Sequence, residues 1–186
     1  MTLLEMKKKV LGMIEELNPE SELLTDDPDL LAKINDVTNQ IMLELVRIKN
    51  LPGSGEIPVT EGDLITFDRI EKAGKYEVYQ IGNVGGVKCE YKAQGTILKV
   101  KESGTAEIEY YKYPERITEK TKNNYEFELT PDVLEIMPYG IAGDLLKSDI
   151  STNYGAVYSQ RYEAMIQRLD PRYSMPSVCI DGGIEV

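Results

Sequence analysis

The sequence predicts an α+β fold: a helical bundle formed by N- and C-terminal helices, with a small antiparallel β-sandwich or rolled sheet inserted between them. Three observations predict it. Residues 1–50 are rich in Leu, Ile, Met, Glu and Lys at helical spacing. Residues 56–129 hold both phenylalanines and seven of the 12 tyrosines in short alternating runs punctuated by Gly, and residues 131–170 return to helical spacing. The organisation expected is therefore 1–52 plus 131–170 as the bundle, 56–129 as the β module and 171–186 as an extended C-terminal arm.

The first helix has Thr2 as N-cap and Glu5 three residues on, a capping box. Leu3, Met6, Val10, Met13, Ile14 and Leu17 mark its apolar face and Asn18-Pro19 stops it. Before the second helix, Asp27 can cap and Pro28 suits the first helical position, where its missing N–H would be unpaired anyway. Leu30, Ile34, Val37, Ile41, Leu45 and Ile48 then recur every three or four residues up to Asn50-Leu51-Pro52-Gly53. A stripe that long needs helical partners.

Gly53-Ser54-Gly55-Glu56-Ile57-Pro58 reads as a hinge. Strands are expected at 64–70, 75–81, 87–92, 96–101, 105–112 and 125–129, with the cleanest alternation in Val87, Cys89, Tyr91 and in Tyr125, Phe127, Leu129. Ala73-Gly74, Gly82 to Gly86 and Ser103-Gly104 read as turns. Thr130-Pro131-Asp132 opens another helical stretch, with the Thr130 hydroxyl capping, which Pro138 is expected to interrupt and restart. A fourth helix from about Asn153 carries Tyr154, Tyr158, Tyr162, Met165 and Leu169 at steps of four, four, three and four, and Asp170-Pro171 ends it. The tail from Tyr173 lacks helical period and reads as an extended arm.

Composition narrows the function. With 32 Asp+Glu against 21 Lys+Arg the net charge is -11, spread evenly along the chain. Such a protein does not wrap a duplex by neutralising phosphates. Histidine is absent, which removes the usual serine and cysteine triads, His-liganded metals and imidazole proton shuttles. Cys89 and Cys179 stand too far apart for a ligand motif and read as two small buried thiols of a protein folded in a reducing cytoplasm. The N-terminal segment Met1 to Lys7 has acid beside its apolar residues and no uninterrupted apolar run, so neither a signal peptide nor a membrane span is expected there.

Other chemistry is weak. Gly82-Asn83-Val84-Gly85-Gly86 lacks the Lys-Ser/Thr of a phosphate loop and lies between strands. Glu107, Glu109, Glu126 and Glu128 alternate with apolar residues, so they face solvent rather than each other across a cleft. Asp26, Asp27 and Asp29 lack the spacing of a calcium loop and serve the helix start. The tyrosines of the β region could stack on single-stranded nucleic acid, but no basic funnel accompanies them. No catalytic, cofactor-binding or metal residue is expected, and no cofactor.

Two segments resemble the head-to-tail connector proteins of tailed bacteriophages, also called adaptor or head-completion proteins. Leu30-Leu31-Ala32-Lys33-Ile34-Asn35-Asp36-Val37-Thr38-Asn39-Gln40-Ile41 is similar to the family's long second helix. Leu134-Glu135-Ile136-Met137-Pro138-Tyr139-Gly140-Ile141-Ala142-Gly143-Asp144-Leu145-Leu146, with Tyr154 to Arg168, resembles its paired C-terminal helices. Residues 56–129 replace the short loop that joins the second and third helices of the simple helical members. The resemblance implies a ring of about twelve copies below the portal, closed by heterologous interfaces. It implies a portal protein on one side, a downstream neck or tail protein on the other, DNA passing the channel without specific binding, and a place in the virion neck. No membrane is involved.

The reading is thus a non-enzymatic virion connector. Tyr154, Tyr158, Arg161 and Tyr162 are expected at helix-mediated interfaces, with Val178, Ile180 and Ile184 as anchors of the arm. For the tyrosines the competing reading is the core of their own domain. The alternative function is a cytoplasmic ligand- or peptide-binding module using the β unit, marked by a deep apolar pocket. A carboxylate-based hydrolase ranks third.

Overall fold

The computed structural model describes residues 1–21, 24–25, 27–74, 77–93, 97–147 and 153–169. Helix α1 spans Leu3–Met13 and opens as its sequence predicts: the Thr2 Oγ1 accepts from the Glu5 amide at 3.2 Å, and the Glu5 carboxylate accepts from the Thr2 amide at 2.8 Å. It ends four residues before the expected Leu17. Glu15 takes a left-handed φ of 62° and the Glu16 amide donates back to the Leu11 carbonyl at 2.9 Å, a Schellman-type stop with Glu where glycine is usual. Helix α2 spans Pro28–Ile48, and Asp27 Oδ1 accepts from the amides of Asp29 and Leu30.

Helices α4 (Pro131–Leu145) and α5 (Tyr154–Leu169) come from the other end of the chain. Helix α4 packs against α1, α2 and α5. Leu3, Met6, Val10 and Leu11 of α1, Ile34, Met42 and Leu45 of α2, and Val133, Met137 and Ile141 of α4 share one core. The apolar faces predicted at the two ends of the chain therefore do meet. Pro138 does not interrupt α4. It sits buried inside one continuous helix, because packing on several sides offsets the roughly 3 kcal/mol that an interior proline costs. Thr130 makes no side-chain cap; its hydroxyl goes to Asp132, which is also ion-paired with Lys49 at 3.2 Å.

Between the helices the chain forms two antiparallel three-stranded sheets. Strands β1 (Pro52–Val59), β3 (Val78–Gly85) and β6 (Gly104–Lys112) make one, with β6 central. Strands β2 (Leu64–Ile65), β4 (Cys89–Ala93) and β5 (Ile97–Val100) make the other, with β5 central. Ile57, Val59, Ile65, Val78, Ile81, Leu98, Val100, Ala106, Ile108 and Tyr110 form a common core. Glu107 and Glu109 alternate outward along β6 as expected. Cys89 is half-buried, and burial pushes its thiol pKa up; Cys179 lies outside the described residues.

Four expectations for this region need correction. The hinge at 53–58 is strand β1, paired with β6 along its whole length. Glycine is tolerated there because a Cβ on Gly53 would lie 2.5 Å from the Tyr110 ring, which occupies that space instead. The strand expected at 64–70 is only Leu64–Ile65. Helix α3 (Phe67–Gly74) follows and buries Ile70, three residues after the half-buried Phe67, in the sheet core. Gly82–Gly85, expected as a turn, continues β3 through an irregular register beside β6; only Gly86, at φ 77°, turns. Residues 125–129 make one isolated bridge, Thr2 to Glu126, rather than a strand.

That last segment belongs with the helices. Ile117, Phe127 and Leu129 bury in the helical core, although they fall in or beside the stretch expected to be β module. What ties the segment down is Asn39 of α2. Its Nδ2 donates to the Ile117 carbonyl and its Oδ1 accepts from the Ile117 amide, each at 2.8 Å and buried. Tyr79 of β3 adds a second link, its hydroxyl lying 3.2 Å from the Val46 carbonyl. Among the described residues no helix is long and apolar enough to cross a membrane.

Asn39→Ala strips both partners from a buried peptide unit and is expected to cost about 2–5 kcal/mol, since each orphaned buried group costs about 1–3 kcal/mol. Urea unfolding measures it; a loss below about 1 kcal/mol would show that solvent replaces the amide.

Candidate interaction surface on helices α4 and α5

Helix α5 approaches α4 closely because small residues face each other. A Cβ on Gly143 would fall 3.0 Å from the Ser159 amide nitrogen, and one on Gly140 would fall 2.7 Å from the Tyr162 ring. Tyr162 is thereby sunk to 7% exposure, and its hydroxyl donates to Glu44 Oε2 of α2 at 2.9 Å. Burial holds the Tyr162 phenol well above its ordinary pKa range, and the neighbouring Glu44 charge adds to the effect.

One turn earlier the same stripe leaves the core. Tyr158 is half-buried and its hydroxyl donates to the Met13 carbonyl at the end of α1, 3.0 Å away. Its ring lies 6.3 Å from that of Tyr139 on α4 and 6.5 Å from that of Tyr154. Arg161 is placed over the Tyr139 ring at 4.5 Å, a cation–π contact that fixes the guanidinium at the surface. Tyr154 at 50% and Val157 at 53% are the most exposed large apolar side chains among the described residues. Of the whole 16-residue helix only Gly155 and Tyr162 are buried.

Of the residues singled out from the sequence, Tyr154, Tyr158 and Arg161 come together on one exposed face, whereas Tyr162 is an intramolecular core residue. Val178, Ile180 and Ile184 lie outside the described residues. Val157 and Tyr139 were not singled out. Val157, three residues after Tyr154 and four before Arg161, sits on the same helical face and could have been found by that spacing. Tyr139 joins the surface only through the tertiary contact of α4 with α5. A plane of Tyr and Arg with one aliphatic anchor is the chemistry of protein interfaces.

The β module offers less. The concavity on its β1–β6 sheet, about 340 Å3, is bordered by Glu56, Glu107 and Glu109, so it is acidic rather than a deep apolar pocket. A groove of about 910 Å3 runs between α2 and the β3–β6 end of the module, past Asp36, Met42, Leu43 and Tyr113. Among the described residues no group of three or more His, Cys, Asp or Glu is placed to hold a metal ion. No known protein family and no curated protein sequence matches the chain.

The raised Tyr162 pKa has a defined sign. Its stabilising effect is complete below about pH 10, where the phenol is protonated in both states, and falls as pH rises further, because the unfolded chain then releases the proton first. Tyr162→Phe is expected to cost about 1 kcal/mol near neutrality and to make the alkaline loss of stability shallower. Urea melts at about pH 8 and about pH 11 measure both; equal alkaline slopes in the two proteins would refute the assignment.

Proposed function

We propose that this chain is a non-enzymatic structural subunit of a tailed-phage virion, a head-to-tail connector that assembles as a ring of about twelve copies at the neck. The observation that carries the proposal is the exposed face of α5, where Tyr154 and Val157 stand in solvent beside the fixed Arg161. A helix that buries only two of its residues in its own domain gains most from a second surface, and exposed aromatic and aliphatic side chains rimmed by Arg suit one. In a closed ring that surface meets a different patch of the next copy, so the contact is heterologous.

The rest of the molecule supports this reading. Helices from both chain ends share one core, which is compatible with the resemblance, and the β module leaves the bundle between α2 and α4. The net charge of -11 keeps duplex DNA from adhering, which suits passage through a channel better than binding. The partners are a portal protein above and a neck or tail protein below; residues 171–186, expected as a docking arm, lie outside the described residues.

Native mass spectrometry and negative-stain imaging of the purified chain test the proposal. Ring particles are expected, alone or with the portal protein. Val157→Asp is expected to abolish them while leaving the far-UV circular dichroism and Tm within the range of a surface substitution. A protein that remains monomeric alone and with its portal, or rings indifferent to Val157→Asp, would count against this surface. Tight, salt-dependent binding of duplex DNA would count against the channel role.

A further inference from the structure

A second site lies on the opposite side of α1 from its solvent face. Lys7 is in the interior, 9% exposed, yet among the described residues no carboxylate or other acceptor pairs with it. Burial pushes its ammonium pKa down. Asn35 of α2 is also buried, at 6%, and among the described residues its Oδ1 has no hydrogen-bond partner. A buried acceptor such as Asn35 Oδ1 costs free energy unless something completes it. Lys7 and Asn35 line the same cleft of about 570 Å3, a volume in the range of small-ligand sites.

The other wall of the cleft is the loop at residues 119–123, and it is built firmly. The Leu3 and Leu4 amides at the start of α1 donate to the carbonyls of Tyr125 and Asn123 at 2.9 and 3.0 Å, so the loop completes the helix terminus. The Thr118 amide donates to Thr121 Oγ1 at 2.9 Å within it. This loop contributes Lys120 and Lys122, while Glu119 is the only carboxylate among the described lining residues. In a chain of net charge -11, the described lining residues set three ammonium groups against one carboxylate. Leu31 and Ala32 of α2 supply an apolar side.

We propose that this cleft binds a carboxylate that carries a hydrogen-bond donor beside it, the Lys7 ammonium taking the charge with Lys120 and Lys122, and Asn35 Oδ1 accepting from the ligand's N–H or O–H. The chemistry is that of an N-acylated acidic amino acid, whether free or as an acidic residue of a partner chain. It is independent of the ring: the cleft and the α5 face share no residue.

Calorimetric titration of the full chain tests it with three probes. N-acetylaspartate carries the carboxylates and the N–H; succinate has the carboxylates without the N–H; N-acetylaspartate N-methylamide mimics an acidic residue within a chain. N-acetylaspartate is expected to bind several-fold tighter than succinate. Lys7→Met is expected to weaken both by about tenfold, the loss of one charge-assisted hydrogen bond, without lowering Tm, since Lys7 makes no ion pair among the described residues. Asn35→Leu is expected to erase the preference for N-acetylaspartate over succinate, which a general folding defect would not do. Binding of the methylamide supports an acidic residue of a partner as the source; binding of free N-acetylaspartate alone supports a small metabolite. No binding of any probe at millimolar concentration, binding unchanged in Lys7→Met, or a preference that survives Asn35→Leu would overturn the proposal.

Discussion

The amide of Asn39 decides how the chain is divided. A strand that leaves a β module can continue anywhere, but the Ile117 peptide is held at both its N–H and its C=O by one buried side chain on α2. Two hydrogen bonds from a single planar group fix orientation as well as position, and in a low-dielectric interior both must be made or both cost. Once Ile117 is set, Phe127 and Leu129 reach the helical core and the 119–125 loop reaches the start of α1. The entry to α4 follows at once. The insertion is therefore shorter than its composition suggests, running from β1 to β6, with the return segment belonging to the bundle.

Much of the bundle was legible because helix ends carry local chemistry. Thr2 with Glu5, and Asp27 with Pro28, place two helix starts correctly from a few residues each, and the apolar spacing of α2 gives its length. The polar residues of α2 were not legible in the same way. Asn35, Thr38 and Asn39 have the composition of a solvated face yet all are buried, and the partner of Asn39 lies far along the chain, at Ile117. The Thr38 hydroxyl turns back to the Ile34 carbonyl at 2.6 Å, which only the structure shows.

The β module hid its elements for a different reason. Strand β1 contains Pro52, Gly53, Gly55 and Pro58, a composition that argues against any strand, and it forms because it is an edge strand laid along the well-patterned β6. Helix α3 is too short for periodicity to separate it from a strand. Arg69 settles it by reaching the Asp63 carboxylate at 3.0 Å and the Pro58 carbonyl at 2.8 Å, contacts that depend on the fold already being there. Central β6 was read almost to the residue, because its alternation states which side is buried.

The same distinction bears on the surface of α5. The step of four between Tyr154, Tyr158 and Tyr162 reads as one stripe with one fate, yet the three rings grade from exposed to half-buried to buried. The grading follows what each ring meets. Gly140 admits Tyr162 on α4, Tyr158 spans to the last turn of α1, and Tyr154 is left beyond both. Sequence periodicity identifies which residues share a face, but the length of the partner beneath decides how many of them it covers. Where local sequence agrees with the fold, folding alone accounts for a residue. Among the described residues, Val157 in solvent and the buried Asn35 Oδ1 without a hydrogen-bond partner are places where it does not, and such departures concentrate where a protein meets something else.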